Sequence, residues 1–256
     1  MILMFKTLGE LYLNKFRQQY SFQVIDPFFY SGAYCKIIFS IMRSTLISLV
    51  PKKFLAAQLR QPSGLFGRIV MGDLLNKGNE KINHLAVELL DIQPTDQVLD
   101  IGFGGGITIK DMVKLIDTGK IYGVDFSNPM VEQAKKKFKR SIESGKVSIE
   151  FADVRQLPFD DNTFDKICTV NTIYFWEDPL ASLREIKRVM KSSGRLVIGI
   201  RSADKMKDLA FTKHNFRLYD PEAVKDLLVG SGFSGMSNEH RDKDEKFDSV
   251  MVTAYV

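Results

Sequence analysis

The sequence predicts an α/β fold in which a mostly parallel sheet is covered by helices on both faces, giving three layers. Short apolar segments of strand length alternate with amphipathic segments of helix length, which is the pattern of parallel sheets with helical crossovers. A glycine-rich turn follows the first strand pattern, and sheets of this kind bind nucleotides at that point. The last two strand patterns have no helix between them, which indicates a hairpin at the sheet edge.

Each predicted element has a local reason. The strand patterns are short apolar runs bounded by polar or turn residues, at 98–101, 121–125, 147–152, 166–170, 195–200, 233–239 and 250–256. Helical patterns lie between the first five strands, at 107–116, 129–138 and 180–190. The second of these helices starts at Pro129, because proline is favoured at the first helical position behind a capping residue. A further helix opens at Pro221, after a polar and irregular link.

The composition is that of an ordinary globular protein. The chain has 256 residues, of which 45% are hydrophobic and 26% charged, and this length is enough to bury one sizeable core. Its two cysteines, Cys35 and Cys168, are too few for a disulfide framework and predict a reducing compartment. The first residues lack the features of a secretory signal, so we expect a cytoplasmic protein.

Charge and aromatic residues are concentrated at the amino-terminal end. Residues 1–60 hold eight Lys and Arg but only two acids, a net charge of +6, whereas the whole chain carries +5. The same residues hold eleven of the chain's Phe and Tyr residues. Within 36–50, polar residues recur at helical spacing among aliphatic ones, which predicts an amphipathic helix. Residues 1–60 are therefore expected to form a helical arm.

Two roles for this arm remain open. Residues 28–50 are expected either to lie on a membrane surface, with basic residues toward anionic headgroups, or to cap the catalytic domain and build a hydrophobic pocket. Both roles point to an apolar or lipid-like acceptor. The basic residues are scattered among bulky aliphatic ones, which disfavours a nucleic-acid site.

The glycine turn allows three interpretations. Glycines stand at Gly102, Gly104 and Gly106, where a backbone can bend sharply and approach a ligand. A turn without a ligand does not need three alternate glycines, and a dinucleotide site needs G-x-G-x-x-G, whose third glycine falls here on Ile107. S-adenosylmethionine (SAM) has a carboxylate that suits the helix amino terminus, and Asp100 before the turn suits its ammonium group. The sequence therefore favours SAM.

Two further acids follow the second and third strands. Asp125 ends the second strand pattern, where a carboxylate accepts hydrogen bonds from both ribose hydroxyls; its alternative role is to cap the helix that starts near Ser127. Asp153 follows the third strand pattern and is placed to accept from an exocyclic adenine amine; its alternative is a solvated loop acid.

Four motifs follow one another along the chain. They are Asp100-x-Gly102-x-Gly104-x-Gly106, Tyr122-Gly123-Val124-Asp125-Phe126-Ser127, Ala152-Asp153-Val154 followed by Leu157-Pro158-Phe159, and Gly194-Arg195-Leu196-Val197. As a set they resemble the motifs of class I SAM-dependent methyltransferases, in the small-molecule branch that includes ubiquinone/menaquinone and sterol C-methyltransferases. The resemblance covers about residues 70–256. It implies a Rossmann-like sheet of seven strands with an antiparallel last strand, and SAM as the cofactor.

The resemblance also implies a role for each matched position. The implied cofactor contacts are Asp100, Gly102, Gly104 and Gly106 at the methionine portion, Asp125 at the ribose, Phe126 and Met130 beside the adenosine, Asp153 and Val154 at the adenine, and Asn171 at the reacting centre.

Methyl transfer from a sulfonium needs positioning and desolvation more than a catalytic signature. The sequence shows no cluster with metal-ligand spacing, and His214 is the best candidate for a base among three histidines; an exposed loop histidine is the alternative. Tyr174 and Trp176 follow the fourth strand, where an aromatic wall suits a flat or apolar substrate, although helix–sheet packing explains them equally. Tyr174 is the second candidate for a catalytic role.

These observations predict a SAM-dependent methyltransferase that acts on a small, hydrophobic or lipid-like molecule by in-line displacement. We expect the arm over 1–60, lid or linker helices over 61–94, and the SAM-binding domain over 95–256; the glycine and asparagines at 76–79 suit a lid that bends, or an ordinary connecting loop. The alternatives are a catalytically silent SAM-binding protein with a regulatory or assembly role, and an NAD-dependent oxidoreductase.

Overall fold

The computed structural model describes residues 50–67, 72–244 and 247–256. Except for Val50 itself, the predicted membrane contact through 28–50 lies outside the described residues, as does most of the predicted arm. No helix within the described ranges is both long enough and apolar enough to cross a membrane.

A sheet of seven strands forms the centre of the fold. The strands are β1 Gln97–Ile101, β2 Lys120–Asp125, β3 Val147–Phe151, β4 Phe164–Val170, β5 Met190–Arg201, β6 Ser234–Asp244 and β7 Phe247–Tyr255. They lie side by side in the order β3-β2-β1-β4-β5-β7-β6. Strand β7 is antiparallel to both of its neighbours, β5 and β6, and the other pairs are parallel. The predicted parallel sheet with a reversed last strand and an edge hairpin is confirmed.

Helices connect the strands and precede the first one. Those of the described residues are α1 Lys52–Arg60, α2 Gly64–Phe66, α3 Gly72–Leu90, α4 Ile107–Leu115, α5 Asn128–Lys137, α6 Lys139–Glu143, α7 Pro179–Val189, α8 Ala203–Met206 and α9 Pro221–Gly230, with 3-10 turns at Ile173–Phe175 and Ala210–Lys213. The helix expected from Pro129 begins one residue earlier. Part of the link expected to be irregular, between β5 and α9, is helical.

Capping residues explain where two of the helices begin. The Asp178 carboxylate accepts a hydrogen bond from the backbone of Ala181 at the start of α7, and Asp220 does the same for Ala223 at the start of α9. Each acid stands directly before a proline that opens the helix. An acidic cap satisfies a backbone N–H that has no partner inside the helix, and it fixes the direction in which the helix leaves the loop.

Two hydrophobic cores lie on opposite faces of the sheet. Along β1, Leu99 packs into the core that contains Leu183 of α7, whereas its neighbour Val98 packs into the core that contains Ile82 of α3 and Ile109 of α4. Successive side chains of a strand point to opposite faces, so this division means that both faces are buried. The predicted three-layer α/β sandwich is therefore confirmed, and the carboxyl ends of its parallel strands meet at one edge.

Candidate active site

A cleft of about 1230 Å³, its mouth included, opens at the carboxyl ends of the parallel strands. Most of the predicted cofactor residues line it, namely Asp100, Gly102, Gly104, Asp125, Phe126, Met130, Asp153, Val154 and Asn171. The exception is Gly106, which lies at the amino-terminal cap of α4 with a left-handed backbone. Strands β1 and β4 are adjacent here, which is where sheets of this topology hold their ligands.

Close contacts explain why the turn after β1 is made of glycine. Gly102 has a φ of +74°, and a Cβ atom there would lie 2.4 Å from the Cγ2 atom of Thr172. Gly106 has a φ of +69°, and its Cβ would lie 2.9 Å from the ring of Phe138. Left-handed backbone disfavours other residues at both positions. The Nζ atom of Lys137 also donates a hydrogen bond of 2.7 Å to the carbonyl of Gly105, so the end of α5 braces the turn.

Asp100 is a buried acid beneath the glycine turn. Only 2% of its surface is exposed, and its carboxylate accepts hydrogen bonds from the hydroxyl of Thr108 and, at 3.7 Å, from the Sγ atom of Cys168. Burial raises the pKa of Asp100 to about 7, although these two hydrogen bonds oppose the shift. A cationic ligand would stabilise the ionised form of this buried carboxylate, because it replaces the favourable interaction with water that burial removes.

Asp125 ends β2 and contacts the glycine turn directly. Its Oδ2 atom accepts a hydrogen bond of 3.0 Å from the backbone of Gly104, and its Oδ1 atom accepts one of 2.8 Å from the backbone of Ser127. Burial raises its pKa to about 6 in spite of these two donors. Asp125 thus ties the first and second strand loops together, and each of its oxygens keeps a lone pair for a ligand hydroxyl.

Asp153, after β3, is held by a neighbouring arginine. Arg155 donates to its carboxylate through the guanidinium, with Nη2 2.7 Å from Oδ2, and through its backbone N–H at 2.9 Å from Oδ1. The hydrogen bonds from this side chain hold the pKa of Asp153 below its usual value. Asp153 is therefore a fixed, ionised acceptor in the cleft.

Amides and aromatic rings also line the cleft. Asn171 has a φ of +57°, and its Nδ2 atom donates to Oδ1 of Asn79 at 3.1 Å. Tyr174 lies outside the cleft lining; its hydroxyl donates to Oδ1 of Asn171 at 3.1 Å. Burial raises the pKa of Tyr174, so it keeps its proton. Phe175 and Trp176 are the aromatic residues of this part of the chain that line the cleft.

His214 lies farther away. It follows the 3-10 turn at Ala210–Lys213, is half-buried, and is not part of the cleft lining. The nearby Phe216 packs against Phe175, with ring centroids 4.6 Å apart. The loop after β5 thus contacts Phe175 of the cleft lining through Phe216.

Several lining residues were not identified from the sequence, namely Arg60, Asn79, Asn83, Arg155, Thr172 and Glu177. Asn79 and Asn83 are four residues apart on α3, and that spacing places two amides on one helix face. This spacing could have identified the two residues from the sequence. Arg60 and Glu177 meet across 117 positions of sequence, so no local pattern identifies their pairing.

Comparisons with known proteins identify the class. Residues 99–198 match a family model described as a methyltransferase domain. The protein YrhH of Bacillus subtilis (strain 168), which its name assigns to the methyltransferases, is 32% identical over 153 residues, or 60% of this chain and 82% of that protein. A ubiquinone/menaquinone biosynthesis C-methyltransferase, UbiE of Geobacter sp. (strain M21), is 28% identical over 219 residues, or 75% of this chain and 93% of the relative.

A solved structure shows the same fold. A SAM-dependent methyltransferase from Aquifex aeolicus superimposes with a TM-score of 0.60 at 21% identity, over 72% of this chain and 95% of that one. The sequence match to YrhH, at 32% identity over 82% of that protein, shows the family, and the chain therefore belongs to the SAM-dependent methyltransferases. It is an S-adenosyl-L-methionine-dependent methyltransferase of the Rossmann-like, class I type, and the alternative of an NAD-dependent oxidoreductase is not supported.

Proposed function

We propose that SAM binds along the glycine turn and that its methyl group passes to a small apolar acceptor beside Phe175 and Trp176. The observation that carries this proposal is the composition of one cleft. Three acids, Asp100, Asp125 and Asp153, line it together with the aromatic rings of Phe175 and Trp176. The acids suit a polar, cationic cofactor, and the aromatic rings suit a flat or apolar molecule.

The residues present fit SAM in charge and in space. The buried carboxylate of Asp100 suits the ammonium group, and the free lone pairs of Asp125 suit the ribose hydroxyls. The ionised Asp153 suits the adenine amine, with Phe126, Met130 and Val154 beside the adenosine. The glycine turn offers the cofactor a backbone surface without side chains. Side chains are excluded there because Cβ atoms at Gly102 and Gly106 would collide with neighbouring groups.

SAM supplies an activated methyl group, so the protein need only bind, orient and exclude water. We propose that Asn171 orients the acceptor or the cofactor through its amide, because it lines the cleft together with the glycine turn and with Phe175. Tyr174 is then a positioning residue: its buried hydroxyl donates to Asn171 and accepts from the backbone N–H of Arg201 at 2.5 Å. This anchor holds the strained backbone of Asn171 in place.

The class of acceptor is inferred from the aromatic side chains of the cleft. Phe175 and Trp176 line it. Phe216 packs edge to face on Phe175, with centroids 4.6 Å apart, and Phe211 packs on Phe216 at 5.6 Å, so Phe175 is supported from behind by two further rings. One relative is a C-methyltransferase of ubiquinone/menaquinone biosynthesis by its name. A demethylated quinol is therefore the first acceptor to test, and a hydrophilic amine is its matched contrast.

The experiment incubates the protein with methyl-labelled SAM and each acceptor, and also with a lipid extract. We expect label in the organic phase with the quinol or the extract, none with the amine, and much less with an Asp125→Ala variant when SAM is below saturation. SAM binding by calorimetry without transfer to any fraction would instead support the alternative of a catalytically silent SAM-binding protein.

A proton acceptor is needed only if the acceptor atom loses a proton on methylation. We propose His214 for this role, since the loop that carries it contacts Phe175 of the cleft lining through Phe216. A His214→Gln variant is expected to lower kcat by about 100-fold or more while its affinity for SAM is unchanged. An unchanged kcat would assign His214 to the loop alone.

A further inference from the structure

Four charged residues of alternating sign line the mouth of the cleft. Arg155 donates to Asp153 through Nη2 at 2.7 Å and to Oε2 of Glu177 through Nη1 at 2.6 Å. Glu177 also accepts, through Oε1, from Nη2 of Arg60 at 3.3 Å. We name Asp153, Arg155, Glu177 and Arg60 the ionic clasp. It joins the loop after β3, the loop after β4 and the end of α1.

The arginine at the end of the clasp belongs to a segment that crosses the cleft. Leu59, Arg60 and Pro62 all line the cleft, and we call residues 59–62 the covering segment. On the side of β2, Nε2 of Gln61 donates to the carbonyl of Phe126 at 2.7 Å, and Oγ of Ser127 donates to the carbonyl of Pro62 at 2.6 Å. The clasp holds the other side, so the segment is fastened at both rims.

The rest of this region is packed firmly. Leu55 and Ala56 of α1 are buried, and α1 packs against the 3-10 turn at Ala210–Lys213. The backbone of Glu177 is held as well, because its carbonyl accepts a hydrogen bond of 3.0 Å from Nη1 of Arg217. The exposed side chains of the clasp are thus the weak points of an otherwise fixed cover.

We propose that Arg155 and Glu177 are positioning residues that hold Asp153 for the adenine amine of the cofactor, and that Arg60 fastens the covering segment across the occupied cleft. The inference rests on the proposed binding of SAM with its adenine at Asp153. The bidentate grip of Arg155 fixes the plane of the Asp153 carboxylate, so the lone pairs that remain point in one direction. The adenosine enters and leaves by parting Arg60 from Glu177.

The ion pair between Arg60 and Glu177 is weak enough to open each time the cofactor enters or leaves. Exposed ion pairs contribute about 1 kcal/mol or less, so the Arg60–Glu177 contact opens readily and slows release only modestly. Loss of Arg60 removes one ion pair, whereas loss of charge at Glu177 removes two. We therefore expect the Glu177 variant to have the larger effect on release of the cofactor product.

The first experiment measures dissociation of S-adenosylhomocysteine (SAH) by stopped flow, at low and high salt. Arg60→Gln is expected to raise the dissociation rate about threefold and Glu177→Gln about tenfold, in line with one and two exposed pairs. High salt speeds release from the wild type and has little further effect on Glu177→Gln. Lys53→Gln, which changes an exposed lysine of α1 outside the cleft lining, is the matched control and stays at the wild-type rate.

A double variant tests whether Arg60 acts through Glu177. In the Glu177→Gln background, Arg60→Gln is expected to add nothing, and Arg60→Lys in the wild type is expected to keep most of the slow release. The proposal is overturned if both single variants release SAH at the wild-type rate, or if their effects simply multiply. A wild-type protein that binds neither SAM nor SAH overturns the proposed function itself, which is a different result.

The second experiment tests the positioning of Asp153. S-inosylhomocysteine carries a carbonyl in place of the adenine amine, so it places an acceptor where Asp153 needs a donor. The wild type is expected to prefer SAH by about tenfold or more, since a hydrogen bond to the ionised Asp153 is replaced by repulsion between two acceptors. Arg155→Gln is expected to reduce this preference several-fold, whereas Arg184→Gln, at an exposed arginine of α7, leaves it unchanged. An unchanged preference in Arg155→Gln contradicts the positioning role.

Discussion

At the scale of single residues, one contact that the sequence does not show limits which residue can stand at position 102 of the glycine turn. The methyl group of Thr172 occupies the space that a side chain at Gly102 would need, at 2.4 Å from an added Cβ. We expect Gly102→Ala to weaken SAM binding by about tenfold or more and to lower the free energy of unfolding by about 1–3 kcal/mol. Calorimetry and urea unfolding measure the two effects.

A second change separates the collision from the backbone strain. Thr172→Ser removes the colliding methyl group and keeps the hydroxyl that bonds to Thr169. The double variant is expected to recover part of the lost affinity, because the strain from a φ of +74° remains. A double variant no better than Gly102→Ala would mean that the contact with Thr172 is not the cause.

Asp100 gives a prediction on stability. Its pKa of about 7 exceeds the usual 3.8, so its contribution to folding is fully present below the unfolded pKa and is lost as the pH rises through 7. Asp100→Asn removes the buried charge at nearly constant size. The SAM-free variant is expected to gain about 1–3 kcal/mol in free energy of unfolding at pH 8 and much less at pH 5, while it loses affinity for SAM.

Urea unfolding at the two pH values measures this gain. Asp117→Asn, at an exposed acid, is the control and is expected to show no difference between them. An equal gain at both pH values would show that the buried charge of Asp100 is not what limits stability.

Asp125 gives a prediction on binding. Its pKa is about 6 in the SAM-free protein, and ribose hydroxyls donate best to the ionised form. The affinity for SAM is therefore expected to fall as the pH drops through 7 and then 6, as Asp100 and then Asp125 gain protons. Asp125→Ala is expected to cost about 1–3 kcal/mol of binding at pH 8 and to remove the lower step, as calorimetry across this pH range measures. Unchanged affinity in Asp125→Ala would remove it from the ribose site.

At the scale of elements, local patterns predict where strands and helices lie, but not all of their ends. Strands β1 and β2 begin only one residue before the predicted positions. The agreement is close because turn residues bound their apolar runs. Strand β5 begins at Met190 instead of Arg195, because Met190 pairs with Phe164 across a shift of register. That pairing depends on a distant segment, and no periodicity within β5 indicates it.

The site divides in the same way. Asp125 and the glycines could be proposed from the sequence because the glycines lie in the turn directly after β1 and Asp125 lies at the end of β2, at positions that short strand and turn patterns identify. Asn79 was not assigned to the site, because it meets Asn171 across 92 positions of sequence, and only the packing of α3 on the sheet brings them together. Contacts between separate elements thus account for the part of the site that the sequence did not predict.

The end of α5 gives a prediction at this scale. Lys137 is the last residue of that helix, and its ammonium bonds to the carbonyls of Gly105 and Gly106 at 2.7 Å and 3.4 Å. Lys137→Met keeps the apolar stem and removes these bonds, so the glycine turn loses a brace. We expect SAM affinity to fall about three- to tenfold by calorimetry. Lys136→Met, at the exposed preceding lysine, is expected to have no effect, and equal losses in both variants would indicate a general charge effect.

At the scale of the whole molecule, the sheet and the covering segment have different roles. The two cores on either face of the sheet hold the carboxyl ends of β1, β2 and β4 in a fixed relation, and this sets the distances among the acids of the cleft. The covering segment reaches the same cleft from α1, which precedes the sheet in sequence by about forty residues. The core thus positions the acids of the cleft, and the proposed control of access belongs to residues outside the core.

The predicted arm over 1–60 is tested at this scale. Its last ten residues, which the structure describes, bury Leu55 and Ala56 and place Arg60 at the cleft, so we expect the arm to act as a cap. Deletion of residues 1–60 is then expected to lower the midpoint of thermal unfolding and to weaken SAH binding about tenfold or more, since buried apolar area and the clasp are both lost.

The competing role predicts a different result in a vesicle assay. An interfacial arm with basic residues binds anionic vesicles and releases them at high salt, whereas a cap does not bind them. The intact protein is therefore expected to stay at the bottom of a flotation gradient with vesicles of anionic lipid, as it does with neutral lipid. Flotation that depends on anionic lipid and is abolished by the deletion would overturn the cap and assign the arm to the membrane surface.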